Sequence, residues 1–180
     1  MPKFLTIDDF DFEGKTVLVR VDFNSPVDPQ TKKVLNDTRI RAHGETTIKE
    51  LSEKGAKVVV LAHQGRPGGA DFISLEQHAE ILGKILGVPV KYVEDIYGEK
   101  AKKAIRELKN GEILVLDNVR KFPEERKKKT PEEHAKSEFI RNLASVADVF
   151  VNDAFAAAHR AHASIIGFTA VLPSAAGRIM

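Results

Sequence analysis

The sequence predicts an α/β domain with a doubly wound parallel sheet, because short apolar, β-branched runs recur along the chain and amphipathic helical patterns separate them. The runs are Thr16 to Val21, Lys57 to Ala62, Val88 to Val93, Glu112 to Leu116 and Asp148 to Val151. Continuous apolar runs of this length suit strands covered on both faces. Regular alternation with helices then implies right-handed crossovers on both sides of the sheet, a Rossmann-like three-layer α/β/α arrangement. With 180 residues, 42% of them hydrophobic, the chain suffices for one well-buried core.

After the first run, Asp37 or Thr38 is a good N-cap for a helix that carries Ile40, Ile48 and Leu51 on one face. Leu75, Ala79, Leu82 and Leu86 form the apolar stripe of the next helix, and Ala101, Ile105 and Leu108 that of the one after. Gly55, Gly87 and Gly111 follow these patterns, where a left-handed stop is easiest for glycine. Thr130-Pro131-Glu132-Glu133 reads as N-cap, N1 proline and capping-box glutamate, and predicts a helix running through Phe139 and Leu143. No internal repeat is visible, and the run Lys127 to Lys129 reads as a solvated surface loop.

Composition excludes several classes. The absence of cysteine removes disulfides, thiolate metal sites and thiol nucleophiles, and fits a cytoplasmic protein. The first residues show no basic segment leading into an apolar run, and no stretch approaches the length of a membrane span, so no membrane partner is expected. A net charge of +2 with 30% charged residues is too balanced for a broad nucleic-acid footprint. Abundant Lys and Glu with only Gln30, Gln64 and Gln77 as glutamines resembles heat-adapted composition.

In an open parallel sheet the ligand crevice lies beyond the carboxyl ends of the strands. Five of the ten arginines, namely Arg20, Arg39, Arg66, Arg120 and Arg160, fall in or just after the segments leaving the first, second, fourth and fifth runs. Guanidinium gives planar, bidentate donors suited to phosphate and carboxylate, so this repetition points to a small anionic ligand. Arg39 stands in a first helical turn, where the helix dipole disfavours a cation. Either a bound anion or a structural pairing with Asp22 or Asp37 would account for it. Asp22 and Asn24 follow the first run and can orient arginines or address a substrate hydroxyl; Pro26 stiffens their loop. His63 follows the second run, within reach of the same crevice.

Two other readings fail on chemistry. Gly65-Arg66-Pro67-Gly68-Gly69 is glycine-rich but lacks the Gly-Lys-Ser/Thr ending of a P-loop. The spacing of His159 and His162 would suit a metal, yet no further ligand lies nearby in a known pattern, so no metal is expected.

Taken in order, Arg20-Val21-Asp22-Phe23-Asn24-Ser25-Pro26, Asp37-Thr38-Arg39-Ile40, Ala62-His63-Gln64-Gly65-Arg66-Pro67, Leu116-Asp117-Asn118-Val119-Arg120 and Val151-Asn152-Asp153-Ala154-Phe155 through His159-Arg160-Ala161-His162 resemble the N-domain motifs of the phosphoglycerate kinases. The resemblance runs from about Phe10 to the last residue. It departs at Asp117, where Glu is usual, at Lys121 and Phe122, which replace an aromatic after the arginine, and at Ala156-Ala157, which replaces a Gly-Thr pair.

The resemblance implies a 3-phosphoglycerate-binding domain over residues 1–172, with Pro173 to Gly177 entering the helix that joins two domains and residues 173–180 starting that helix. It implies reversible phosphoryl transfer between ATP and 3-phosphoglycerate, giving ADP and 1,3-bisphosphoglycerate. Arg20, Asp22, Phe23, Asn24, Arg39, His63, Gln64, Gly65, Arg66, Arg120, Arg160 and His162 match the family's substrate contacts, and Arg39 its catalytic arginine. Mg-ATP or ADP would be held mainly by a C-terminal nucleotide-binding domain, whose motifs do not occur in this sequence. The expectation is therefore a domain of a two-domain kinase that binds substrate, holds no cofactor itself and does not turn over alone.

Overall fold

The computed structural model describes residues 5–155 and 160–179. Among them, β1 (Thr16–Arg20), β2 (Lys57–Leu61), β3 (Val90–Tyr92), β4 (Ile113–Val115), β5 (Val149–Asn152) and β6 (Ser174–Ala176) form one sheet in the order β3-β4-β2-β1-β5-β6. Every pairing is parallel.

Alternation along the strands splits the core into two layers. Val17, Val19, Val58, Val60 and Val151 pack on one face with Ile40, Ile48, Leu51, Ala79 and Leu82. These come from α1 (Thr38–His43), its π-helical continuation Gly44–Ile48, α2 (Lys49–Glu53) and α3 (Glu76–Leu86). At Gly44 an added Cβ would lie 2.7 Å from Leu82 Cδ1, so glycine lets this helix approach α3. The other face carries Leu18, Val59, Leu61, Leu114 and Phe150 against Ala101, Ile105, Phe139, Ile140, Leu143 and Ala163. Those residues belong to α4 (Glu99–Arg106), α6 (Glu138–Ala144) and α7 (Ala163–Ile166), with α5 (Pro131–His134) preceding α6. The predicted doubly wound α/β class is the observed one.

Two elements differ from the sequence reading. The helix expected from Thr130 through Leu143 is two helices. Thr130 makes the predicted capping box with Glu133, but Ser137 then turns extended and its hydroxyl accepts the N–H of Ile140, starting α6 afresh. A second N-cap inside an apolar pattern restarts a helix as readily as a first one starts it.

Residues 174–176, expected at the entry of a joining helix, instead form β6. Without them β5 would present unpaired backbone groups at a sheet edge. Phe150 N–H donates to Pro173 O and Gly177 N–H to Asn152 O, both at 2.9 Å, while Ala176 N–H donates to Leu5 O on the outer side at 2.9 Å. Among the described residues no helix is long and apolar enough to cross a membrane.

An aromatic cluster closes the second layer. Phe139 stacks on Phe122 at 5.1 Å and meets the rings of Tyr97 and Phe168, each at 5.7 Å. Phe139 is fully buried. Phe139→Ala is therefore expected to lower unfolding stability by roughly 3–5 kcal/mol, read from the urea midpoint; a loss under about 1 kcal/mol would mean that α6 does not anchor this layer.

Candidate functional site

The carboxyl ends of β1, β2 and β4 lead into loops that are tied to one another before any ligand is considered. Asn24 Oδ1 accepts the N–H of Gly65 at 2.8 Å. Gln64 accepts Ser25 N–H at 2.9 Å and donates to Ser25 O at 3.0 Å. Asn118 donates to Gln64 O at 2.7 Å and to Ile73 O at 2.9 Å. Gly65 has a positive φ of 69°, and a Cβ there would lie 2.6 Å from Asp71 O, so only glycine fits this crossing of chains.

Beneath the loops lies Arg20, with no solvent exposure. Its Nε donates to Ser164 Oγ at 2.7 Å, Nη1 to Val21 O, and Nη2 to His63 Nδ1 at 2.9 Å. Glu125, equally buried, stands 3.8 Å away and receives both the N–H and the hydroxyl of Ser164. Burial pushes the Glu125 carboxyl above its usual range, opposed by Arg20 and by Ser164. Because guanidinium only donates, His63 Nδ1 is the acceptor and a neutral imidazole carries its proton at Nε2. Burial holds His63 neutral far below the usual histidine range, reinforced by Arg20, Arg120, Arg160 and His162.

Above this layer a cleft of about 430 Å³ is lined by Asp22, Asn24, Arg39, His63, Gly65, Arg66, Gly69, Asp71, Arg120 and Arg160. Arg39 is half-exposed and rests one amino group on both carboxylate oxygens of Asp22, at 3.0 and 3.1 Å. This is one of the two pairings the sequence left open. Arg120 donates to Gly65 O at 2.8 Å, and its Nε is buried without a partner. Burial, then Arg20, Arg160 and Arg126, lower its pKa to about 10, so it remains charged at neutral pH.

The cleft continues into a second recess of about 540 Å³, lined by Arg66, Arg120, Arg126, Lys128, Arg160, Ala161 and His162. Burial, with Arg120, Arg160 and Arg20, lowers the His162 pKa to about 4, and its Nδ1 is buried and unpartnered. Neutral histidines amid arginines leave donors without adding further charge, an arrangement suited to a small, multiply charged anion. A larger groove of about 610 Å³ beside Leu35 and Ile85 lacks this chemistry, since its Arg41 is already paired with Asp37 and Glu45.

The structure brings Asp22, Asn24, Arg39, His63, Gly65, Arg66, Arg120 and Arg160 together, with His162 in the adjoining recess. It does not bring three expected contacts to the cleft surface. Arg20, Phe23 and Gln64 are fully buried. Arg20 acts on the cleft through His63, Gln64 through its bonds to Ser25, and the Phe23 ring packs between His43 and His78. The cleft and recess also hold Asp71, Arg126 and Lys128, which position along the sequence does not mark; Lys128 lies in the lysine run expected to be a solvated loop. Glu125 was the available signal: an acid in so basic a loop calls for a buried cation. His159 and the Ala156-Ala157 departure lie outside the described residues.

The buried histidines make stability depend on pH. Burial lowers the pKa of His78 to about 4, from about 6.5 in the unfolded chain. Between those values the unfolded state binds more protons, so stability is full above pH 6.5 and falls as the pH drops toward 4. The urea midpoint should decline over this window, His78 alone accounting for up to roughly 3 kcal/mol. A midpoint that stays level from pH 7 to 4.5 would contradict neutral burial.

Comparison with known proteins points in the same direction. A family model described as phosphoglycerate kinase matches residues 7–180. The chain is 57% identical over 177 residues to the phosphoglycerate kinase of Methanobacterium bryantii, covering 98% of this chain and 43% of that protein. It is 54% identical over 180 residues to that of Methanothermus fervidus, covering all of this chain and 44% of the relative. The crystal structure of phosphoglycerate kinase from Pyrococcus horikoshii OT3 superposes with a TM-score of 0.94 at 43% identity, over 98% of this chain and 43% of that one. The chain thus spans less than half the length of the curated relatives it matches.

Proposed function

The chain belongs to the phosphoglycerate kinase family, and from that premise we propose that its cleft binds 3-phosphoglycerate and 1,3-bisphosphoglycerate for reversible phosphoryl transfer with ATP and ADP. The observation that carries this reading is the gathering of Arg39, Arg66, Arg120 and Arg160 around one cavity, in which Asp22 is already engaged by Arg39. A ligand with a phosphate at one end and a carboxylate at the other supplies the missing negative charge.

Arg66, Arg120 and Arg160 anchor the phosphate, with the Nε2–H of His63 as a neutral donor beside them. Asn24 and Asp22 address the glycerate hydroxyl. Arg39 faces the carboxylate, whose oxygen attacks the terminal phosphorus of ATP; the P–O bond to ADP breaks as the acyl phosphate forms. Charge builds on the transferring group in that step, and the half-exposed guanidinium of Arg39 meets it. Positioning and charge neutralisation then carry the chemistry.

In this reading the Mg²⁺ that accompanies the nucleotide is not held by Asp22, whose carboxylate Arg39 already engages. In this reading the nucleotide comes from a C-terminal nucleotide-binding domain of the family type, in the cytoplasm, and domain closure excludes water from the cleft.

Titration calorimetry of the 180-residue chain tests the proposal. 3-Phosphoglycerate should bind more tightly than inorganic phosphate or MgATP, and Arg66→Ala should weaken it at least tenfold, through loss of a charge-assisted contact. Equal affinity for all three ligands would sink the phosphoglycerate assignment. With a nucleotide domain supplied, Arg39→Ala should lower turnover by roughly a hundredfold or more while changing substrate affinity far less. Equal losses in both would place Arg39 in ground-state binding alone.

A further inference from the structure

One helical turn of α1 grips Asp22 twice. Arg39 holds its carboxylate, and four residues on His43 accepts its backbone N–H through Nε2 at 3.2 Å. The other ring nitrogen of His43 lies 2.6 Å from Asp153 Oδ2. Asp153 is fully buried at the end of β5, and its Oδ1 accepts the Thr47 hydroxyl at 2.8 Å and the N–H of Ile179 at 3.0 Å.

Donor and acceptor roles leave His43 a single arrangement. A backbone N–H only donates, so Nε2 is bare, and a carboxylate only accepts, so the proton sits on Nδ1. A buried histidine satisfied by Asp153 alone would serve packing. This one directs its second bond to the backbone of a residue in the cleft. Thr47, one turn further on, also bonds Asp153 but makes no bond to Asp22 or Arg39.

We propose that His43 is a positioning residue: held by Asp153, it fixes the backbone of Asp22 so that the Asp22 carboxylate meets Arg39 across the cleft. This rests on the cleft being the phosphoglycerate site. The effect passes through preorganisation, since a loop already in its binding geometry loses less freedom when the ligand arrives.

His43→Asn separates this role from packing. An Asn amide stands near the place of Nδ1 and keeps a donor for Asp153, but it does not reach the N–H of Asp22. Thr47→Val serves as the structural control, removing a bond to Asp153 and the acceptor of the Arg178 N–H while leaving both bonds of His43 in place. In the 180-residue chain without ligand, the Asp22 amide should lose hydrogen-exchange protection in His43→Asn and keep it in Thr47→Val. With 3-phosphoglycerate, His43→Asn should bind roughly three- to tenfold more weakly, and Thr47→Val within about twofold of the parent.

Long-range ¹⁵N–¹H correlation on the parent chain reads the imidazole directly and needs no variant that folds. It should show His43 protonated at Nδ1 and bare at Nε2; protonation at Nε2 would overturn the proposal. So would a folded His43→Asn that binds as tightly as the parent. A parent chain that binds no 3-phosphoglycerate removes the functional reading, and the positioning role with it, whereas a parent that binds alongside an equally competent His43→Asn removes the positioning role alone.

Discussion

A guanidinium without solvent at the last residue of the central strand is the constraint on which the cleft depends. Removing Arg20 from water costs several kcal/mol, and the structure offsets this with three acceptors, Ser164 Oγ, Val21 O and His63 Nδ1, and with the Glu125 carboxyl as an ion-pair partner at 3.8 Å. Each of these groups belongs to a different segment of the chain. Arg20 therefore joins the segment after β1 to that after β2, to the loop holding Arg126, and to the start of α7. It also dictates which nitrogen of His63 carries the proton, and so whether the cleft gains a donor or an acceptor there.

From that base the cleft accumulates positive charge at controlled cost. Arg120 is held by Gly65 O with one nitrogen left buried and unpartnered, and the neighbouring histidines stay neutral because burial, and then the surrounding arginines, disfavour a further charge. Uncompensated cations destabilise a free domain, and the same repulsion is relieved when an anion enters. Site and stability are thus opposed here, with the apolar layers on the two sheet faces supplying the difference.

The sequence displayed the scaffold where pattern alone decides it. The runs beginning at Thr16, Lys57 and Glu112 read as strands without further information, and Gly87 stops α3 at a φ of 68° as expected. Ser174–Ala176 carries no β-branched residue, so its strand arises only from the open edge of β5 and was not legible. The restart at Ser137 was present in the sequence but masked by the apolar stripe on either side. At the site, residue type and position marked the arginines, yet burial separates Arg20 from Arg66 and Arg160. That distinction required Glu125 and Ser164, which lie far away along the chain and meet Arg20 only once the sheet has formed. Likewise the two roles of Asp22, toward Arg39 and toward His43, depend on the rotation of α1, which no local pattern specifies.

In the proposed function one preorganised cleft at the strand ends receives 3-phosphoglycerate. Amide and guanidinium shift mapping of the 180-residue chain during titration with 3-phosphoglycerate checks this. Shifts should centre on Asn24, Gly65, Arg66, Arg120 and Arg160, reach Arg39 and His63 and leave the groove around Leu35 and Ile85 unchanged. Shifts centred on that groove, or spread over the surface lysines without focus on the cleft, would contradict it.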